Sequence, residues 1–474
     1  MKEYHMSREG KLAKNTLLLS VGTFLPKLAA FITLPILTGY LTKEEYGTYD
    51  LFTVLVTLYL PAVTLQIQTA AFRFLVDERE NLEESKSIIS NIYSFILPVS
   101  VAGLIILWFF IPGGTLVRLF ICIYFASDLL VNTTRQIARG LNRNIDYSIS
   151  AVIGSAGNMI FAVIFVWWLK KGLIGAILAL SISAAISFAA LAFRLKIGRY
   201  ISIQAISRQK LKKLLSYSWP MVPNNMSMWV MRLSDRLVIT AVMGAAYEAV
   251  YAVANKIPSL LNVAQSAFTL AWQENASIAS KDEDAASYYS TLFRTMFNLM
   301  AGFLGLLICC TPILFRLFIR GDYSDAYYQM PILFLATFFY AMATFLGGIY
   351  IAYMKTKNVG ITTTVAAVCN LVVDLALIRS IGLYAASGST LISYFLLYIY
   401  RMFDVRKIVR IEYNYRNIII VTLILIVECI LSYQRNATAN YANIILGVCC
   451  FVYLNRKIMN SLGRKVISLV RRHR

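Results

Sequence analysis

A chain of 474 residues in which 58% are hydrophobic and only 15% charged, with a mean hydropathy of +0.64, is not a soluble globular protein. Its formal net charge of +21 raises the question of nucleic acid, but the placement of those charges excludes that partner. The seven cysteines (Cys122, Cys309, Cys310, Cys369, Cys429, Cys449 and Cys450) all lie in apolar windows with no histidine at metal-ligand spacing. They read as packing residues, and no metal site is expected. His5 and His473 sit at the two ends, which leaves no imidazole for catalysis or proton relay within the apolar body.

Apolar windows of about 20 residues, each long enough to cross a hydrocarbon core of roughly 30 Å, recur along the whole chain. No polar stretch is long enough to form a separate soluble domain. The expected fold is an all-α polytopic membrane protein of about 14 transmembrane helices. Residues Met1–Lys14 are basic, and the window Asn15–Leu41 that follows is too long for a signal peptide, so it reads as an uncleaved first span interrupted by Pro26-Lys27. Further spans are expected at 47–72, 87–111, 115–135, 148–169 and 173–193. After a basic linker come 214–244, 248–272, 291–318, 328–354, 358–378, 381–402, 417–433 and 438–455.

With the N-terminus cytoplasmic, the external turns hold only Lys43, Arg118, Lys170, Lys171, Arg316, Arg320, Arg379 and Arg435, and most of the other Lys and Arg fall on the cytoplasmic side. That asymmetry is the positive-inside signal, with both termini inside, and it accounts for the net charge without nucleic acid. The linker Arg194–Lys213 carries Arg194, Lys196, Arg199, Arg208, Lys210, Lys212 and Lys213 and divides the first twelve spans into two sets of six. The halves share local patterns. Glu45-Tyr46-Gly47-Thr48-Tyr49 opens the second span and Tyr247-Glu248-Ala249-Val250-Tyr251 the eighth; Gly172-Leu173-Ile174-Gly175-Ala176 opens the sixth and Gly382-Leu383-Tyr384-Ala385-Ala386 the twelfth. Asn158 and Asn370 fall at similar places in the fifth and eleventh. The organisation expected is an N-terminal six-helix lobe with its linker (1–213), a parallel repeat of it (214–412), and two further helices with a basic tail (413–474). The tail spaces Ile458, Leu462, Val466, Leu469 and Val470 near helical periodicity between basic residues, the pattern of an interfacial amphipathic helix.

Ionisable residues inside spans cost roughly 2.5–3.5 kcal/mol each near the bilayer centre, so they belong against protein or a wet cavity. The densest set is Arg232, Asp235 and Arg236, which share a face of the seventh span. Lys27 and Lys256 fall in spans that open the two halves. Arg forks match phosphate oxygens, so Lys27, Arg232, Arg236 and Lys256 are candidates to hold a diphosphate. Asp235 is the candidate partner of Arg232 or Arg236 in an ion pair; one acid cannot neutralise both. Asp128, Asp374 and Glu428 are candidates for coupling to H⁺ or Na⁺. Pro26 and Pro35 in the first span and Pro220 and Pro223 in the seventh are expected to break equivalent helices. No phosphate-binding glycine loop, paired acids on a soluble face or His/Cys cluster points to an enzyme. A membrane-embedded glycan polymerase or ligase would need a large external loop, and the sequence offers none.

Several runs resemble the Wzx-like polysaccharide flippases, the polysaccharide transporter branch of the MOP exporter superfamily. They are Pro26-Lys27…Phe31…Leu34-Pro35-Ile36-Leu37-Thr38…Glu45-Tyr46-Gly47-Thr48-Tyr49, then Ser216-Tyr217-Ser218-Trp219-Pro220-Met221-Val222-Pro223. Asp235-Arg236, Tyr251-Ala252-Val253-Ala254-Asn255-Lys256-Ile257 and Ala267-Phe268…Ala271-Trp272 continue the match. Val250 stands where the family usually has glycine. The resemblance implies a MATE-like fold of two six-helix lobes plus two helices, no cofactor, and alternating-access translocation of an undecaprenyl-diphosphate-linked oligosaccharide. The setting would be the bacterial cytoplasmic membrane, with polysaccharide polymerase and chain-length proteins as partners in making O-antigen, capsule or exopolysaccharide. Lys27, Arg232, Asp235, Arg236 and Lys256 match positions where such proteins place cavity charges. Rival readings are a flippase for a lipid II-type cell-wall precursor, which carries the same diphosphate, and a drug/ion antiporter, which would favour acidic groups in its cavity.

Overall fold

A computed structural model describes residues 8–265, 272, 276, 279 and 282–472; the side chains of 8–21, 23, 223–232, 356, 457, 458 and 460–472 lie outside that description. The described elements are helices: α1 (Arg8–Tyr40), α2 (Lys43–Val63), α3 (Ile67–Asp77), α4 (Leu82–Phe110), α5 (Thr115–Gly140), α6 (Asn144–Ala162), α7 (Gly172–Leu195), α8 (Arg208–Ser218), α9 (Met221–Val242) and α10 (Ala245–Lys256). They continue with α11 (Ala285–Phe318), α12 (Ser324–Ala352), α13 (Thr356–Ile381), α14 (Leu383–Asp404), α15 (Tyr415–Tyr433) and α16 (Ala437–Arg472). Among the described residues, ten helices are long and apolar enough to cross a membrane, or eleven if the bent pair α2–α3 is one span. The fourteen expected spans fall on described helices, with 47–72 on the pair α2–α3 and 214–244 on the end of α8 and α9; 248–272 begins as α10, and its later part lies mostly outside the described residues.

The chain forms two compact units, Met1–Leu233 and Ser234–Arg474, so the division falls inside α9, twenty residues beyond the basic linker. In the first unit α1 packs on α6, α6 and α5 on α7, and α3 on both α5 and α8. In the second, α12 packs on α14, α13 on α14, α11 on α16, and α10 on α12.

Two local devices shape the first unit. Thr42 and Glu45 form a capping box at the start of α2, and the second oxygen of Glu45 accepts the Leu173 N–H (3.1 Å) at the start of α7. Gly172 holds φ +55 there, and a Cβ on it would collide with the Glu45 carboxylate, so the glycine is required. The expected single span 47–72 is instead bent by 61° between α2 and α3. Leu65 and Gln66 take left-handed backbone angles at the bend, while Thr64, fully buried, bonds the Leu60 carbonyl (2.9 Å) and lies 2.8 Å from Gln68 Oε1. The paired proline breaks appear on one side only. Helix α1 continues through Pro26 and Pro35, whereas the chain leaves the helix at Trp219–Pro220, between α8 and α9.

The linker is no loose tether. Ser90 Oγ donates to the Tyr200 carbonyl (3.0 Å) and accepts from the Ser202 N–H (2.9 Å). Ser87 Oγ and Asn91 Nδ2 donate to the Ala205 carbonyl (3.0 and 3.1 Å), Asn91 Oδ1 accepts from the Ser207 N–H (2.9 Å), and Lys210 pairs with Glu84. Residues 200–210 are thereby bolted along the first turns of α4. Asp146, 3% exposed, is gripped by Arg143 (2.7 Å) and Arg194 (2.6 Å), which ties the start of α6 to the end of α7.

Candidate functional site

Two groups of buried charges in the second unit touch different neighbours. The first is Arg236, Glu248 and Lys256. Arg236 Nη1 donates to Glu248 Oε1 at 3.0 Å, with the arginine side chain 14% exposed and the glutamate fully buried. Lys256, half-buried at the end of α10, is close enough to feel the charges of both. Two cations thus lie within electrostatic reach of one buried carboxylate.

The second group surrounds Asp235, 3% exposed. Its Oδ2 accepts from Tyr251 OH (2.7 Å) and Thr390 Oγ1 (2.7 Å). Thr390 also lies 2.9 Å from the Ala386 carbonyl, so its single hydrogen has two acceptors to choose between. Asn370 donates to Ser389 Oγ (3.2 Å) and Thr390 Oγ1 (3.3 Å) and accepts from Ser234 Oγ (3.1 Å). Asp374, fully buried on the same helix as Asn370, lies within electrostatic reach of Asp235. Neither Asp374 oxygen has a hydrogen-bond donor among the described residues, and neither does Asp235 Oδ1. Three donorless carboxylate oxygens beside a cage of hydroxyl and amide groups form an environment that calls for a proton or a small hard cation.

These contacts answer one of the two expected partners of Asp235. Arg236 is bonded to Glu248, and Asp235 is held by hydroxyl groups; the Arg232 side chain lies outside the described residues. Neighbouring positions on a helix diverge by about 100°, so Asp235 and Arg236 enter different surroundings. Glu248 was the missed acid. Its signal in the sequence was its place in the motif Tyr247-Glu248-Ala249-Val250-Tyr251, in the first turn of α10.

Of the coupling candidates, the structure brings Asp374 to Asp235 and sets the other two apart. Asp128 lies in the first unit with Asn132 and Arg135 as its neighbours. Glu428, fully buried on α15, faces α11 so closely that a Cβ on Gly305 would come within 3.0 Å of its Oε2, and both its oxygens lack donors. Lys27 sits on α1 with an exposed side chain. In the first unit Tyr49 bonds Asn158, and the Thr33 hydroxyl bonds the Ala29 carbonyl (2.8 Å).

A multi-pass membrane protein whose described elements are helices, with carboxylates and an Arg–Glu ion pair buried in its spans, agrees in fold with solved transporter structures. The lipid II flippase MurJ in an inward closed conformation aligns with a TM-score of 0.73 at 15% identity, over 94% of this chain and 99% of that one. The inward-facing multidrug resistance MATE family transporter of the MOP superfamily aligns with a TM-score of 0.70 at 17% identity, over 83% and 97%. A family model described as polysaccharide biosynthesis protein matches residues 12–273, and the chain belongs to that family. No curated protein matches the chain in sequence.

Proposed function

We propose that this protein is a flippase that carries an undecaprenyl-diphosphate-linked oligosaccharide across the bacterial cytoplasmic membrane for surface polysaccharide synthesis. The observation that supports the reading is the Arg236–Glu248–Lys256 cluster, an arginine and a lysine at one buried carboxylate, in a member of a polysaccharide biosynthesis family. Arg236, bonded to Glu248, and Lys256 beside it supply the guanidinium and ammonium groups that meet phosphate oxygens of the lipid head. Positive groups there disfavour a drug/cation antiporter. The Lys/Arg asymmetry supports cytoplasmic termini, so the lipid head enters from inside and the glycan leaves outside to polymerase and chain-length proteins.

Transport needs a driving ion, and we assign that role to Asp235 and Asp374. A proton or Na⁺ neutralises the donorless oxygens in one state and leaves in the other. The test is complementation of a flippase-deficient strain that makes surface polysaccharide. Arg236→Ala at wild-type abundance should abolish export, and normal export would overturn the assignment. The fold likeness to a lipid II flippase favours one rival, and rescue of a strain lacking its lipid II flippase, without rescue of polysaccharide export, would select it.

A further inference from the structure

The linker between α7 and α8 carries a surface that flipping leaves without a role. Ile203 is 86% exposed, and Ile201 and Ile206 are exposed beside it, although all three lie outside any spanning helix. Phe193, at the end of α7, is 85% exposed next to them. Interleaved with these side chains are Lys196, Arg199, Arg208 and Lys212, all exposed and without a carboxylate partner among the described residues. The other cations of the segment are engaged: Arg194 on Asp146, Lys210 on Glu84, and Lys213 over the Phe74 ring at 5.4 Å.

Geometry places this surface at a membrane boundary. Helix α7 ends at Leu195 and α4 begins at Leu82, and the segment 200–210 is bonded across that level to Glu84, Ser87, Ser90 and Asn91. Helix α8 turns Leu214 and Ser218 into the protein, with Tyr217 edge-on to Phe74, and leaves Arg208 and Lys212 outward. Aliphatic side chains pushed outward between cations, on a backbone that its own hydrogen bonds hold fixed, match the two layers of a lipid interface. Isoleucines reach the acyl boundary while ammonium and guanidinium groups meet phosphates.

We propose that this linker surface docks on anionic phospholipid headgroups of the host bilayer and binds them in preference to zwitterionic ones. Water alone would leave the isoleucines exposed at a cost. A zwitterionic headgroup would leave the four cations without net counter-charge. The chemistry selects an anionic lipid such as phosphatidylglycerol, and the bonded linker makes the first unit the part that senses it.

The test uses the full chain in nanodiscs of phosphatidylcholine alone or with one quarter phosphatidylglycerol, reading backbone amide exchange across residues 196–213. Phosphatidylglycerol should slow exchange there, by roughly fivefold for each cation that reaches a headgroup. High salt should remove that slowing. The variant K196Q/R199Q/R208Q/K212Q should exchange alike in both lipids. Equal exchange of the wild type in both compositions overturns the proposal, as does a lipid-dependent slowing that survives high salt or the four substitutions. The salt titration on the wild type decides the matter even if the variant fails to fold. The readout involves no transported substrate, so it stands or falls separately from the flippase assignment.

Discussion

The Arg236–Glu248 pair allows stability and transport to be separated in one set of variants. Glu248 is fully buried and Arg236 86% so, and their contact is 3.0 Å. Arg236→Met strands a buried carboxylate, and removing one partner of such a pair costs about 3–5 kcal/mol. Lys256 lies within electrostatic reach of Glu248 and takes over part of the compensation, which puts the loss near the lower end, at about 3 kcal/mol. Glu248→Met strands the cation instead, with Lys256 now repelling it, and should cost about 5 kcal/mol. In R236M/E248M both charges are gone and well-shaped apolar groups fill their places, so stability should return to within about 1 kcal/mol of wild type. Thermal unfolding of the purified chain reads this cycle, with the single variants displaced by on the order of 10 °C. Surface polysaccharide export by the same variants reads function. The double variant should fold, reach the membrane at normal abundance and still fail to export, because the phosphate-facing guanidinium is missing. A double variant that exports normally refutes the reasoning at its root, and one as unstable as the single variants refutes the account of the pair.

Asp374→Asn should abolish ion-dependent transport and remove any shift of the melting temperature with Na⁺ concentration, whereas Glu428→Gln, on the α11–α15 contact, should keep both and melt higher because a donorless buried charge is gone; matching behaviour of the two variants would undo the assignment of the coupling site. Gly348→Ala should destabilise by about 1–3 kcal/mol in thermal unfolding. Its Cβ would come within 2.5 Å of Trp272 Nε1, whose indole stacks on Phe345 (centroids 4.2 Å apart) and donates to the Phe345 carbonyl (3.0 Å). Thr390→Val removes a hydroxyl 2.7 Å from Asp235 and should weaken ion coupling while Thr390→Ser retains it, measured as the ion concentration for half-maximal transport.

Much of the architecture lies open in the primary structure. Windows of apolar residues longer than a bilayer core are a local property, so the spans can be read without knowing what packs against what. The similar short motifs are local too: Tyr49 and Tyr251, and Asn158 and Asn370, can be set side by side from the sequence alone. An expected side of the membrane for each turn can likewise be drawn from Lys and Arg placement alone.

Partnerships inside the spans are another matter. Arg236 lies beside Asp235 in the chain, yet it bonds Glu248, twelve residues on and across the turn into α10. Asp235 gains its cage from Tyr251 on α10 and Thr390 on α14, a hydroxyl 155 residues away. No spacing rule could pair those groups, because the helix turns consecutive side chains about 100° apart and only helix packing decides what each one meets. The basic linker shows the same division of labour. Its charge was plain in the sequence, but its attachment to α4 came from hydrogen bonds between residues more than a hundred positions apart. Sequence by itself determined that the chain is a multi-pass membrane protein, because span length and apolarity are local; tertiary structure alone decided which partners its buried charges meet, because helix packing sets them.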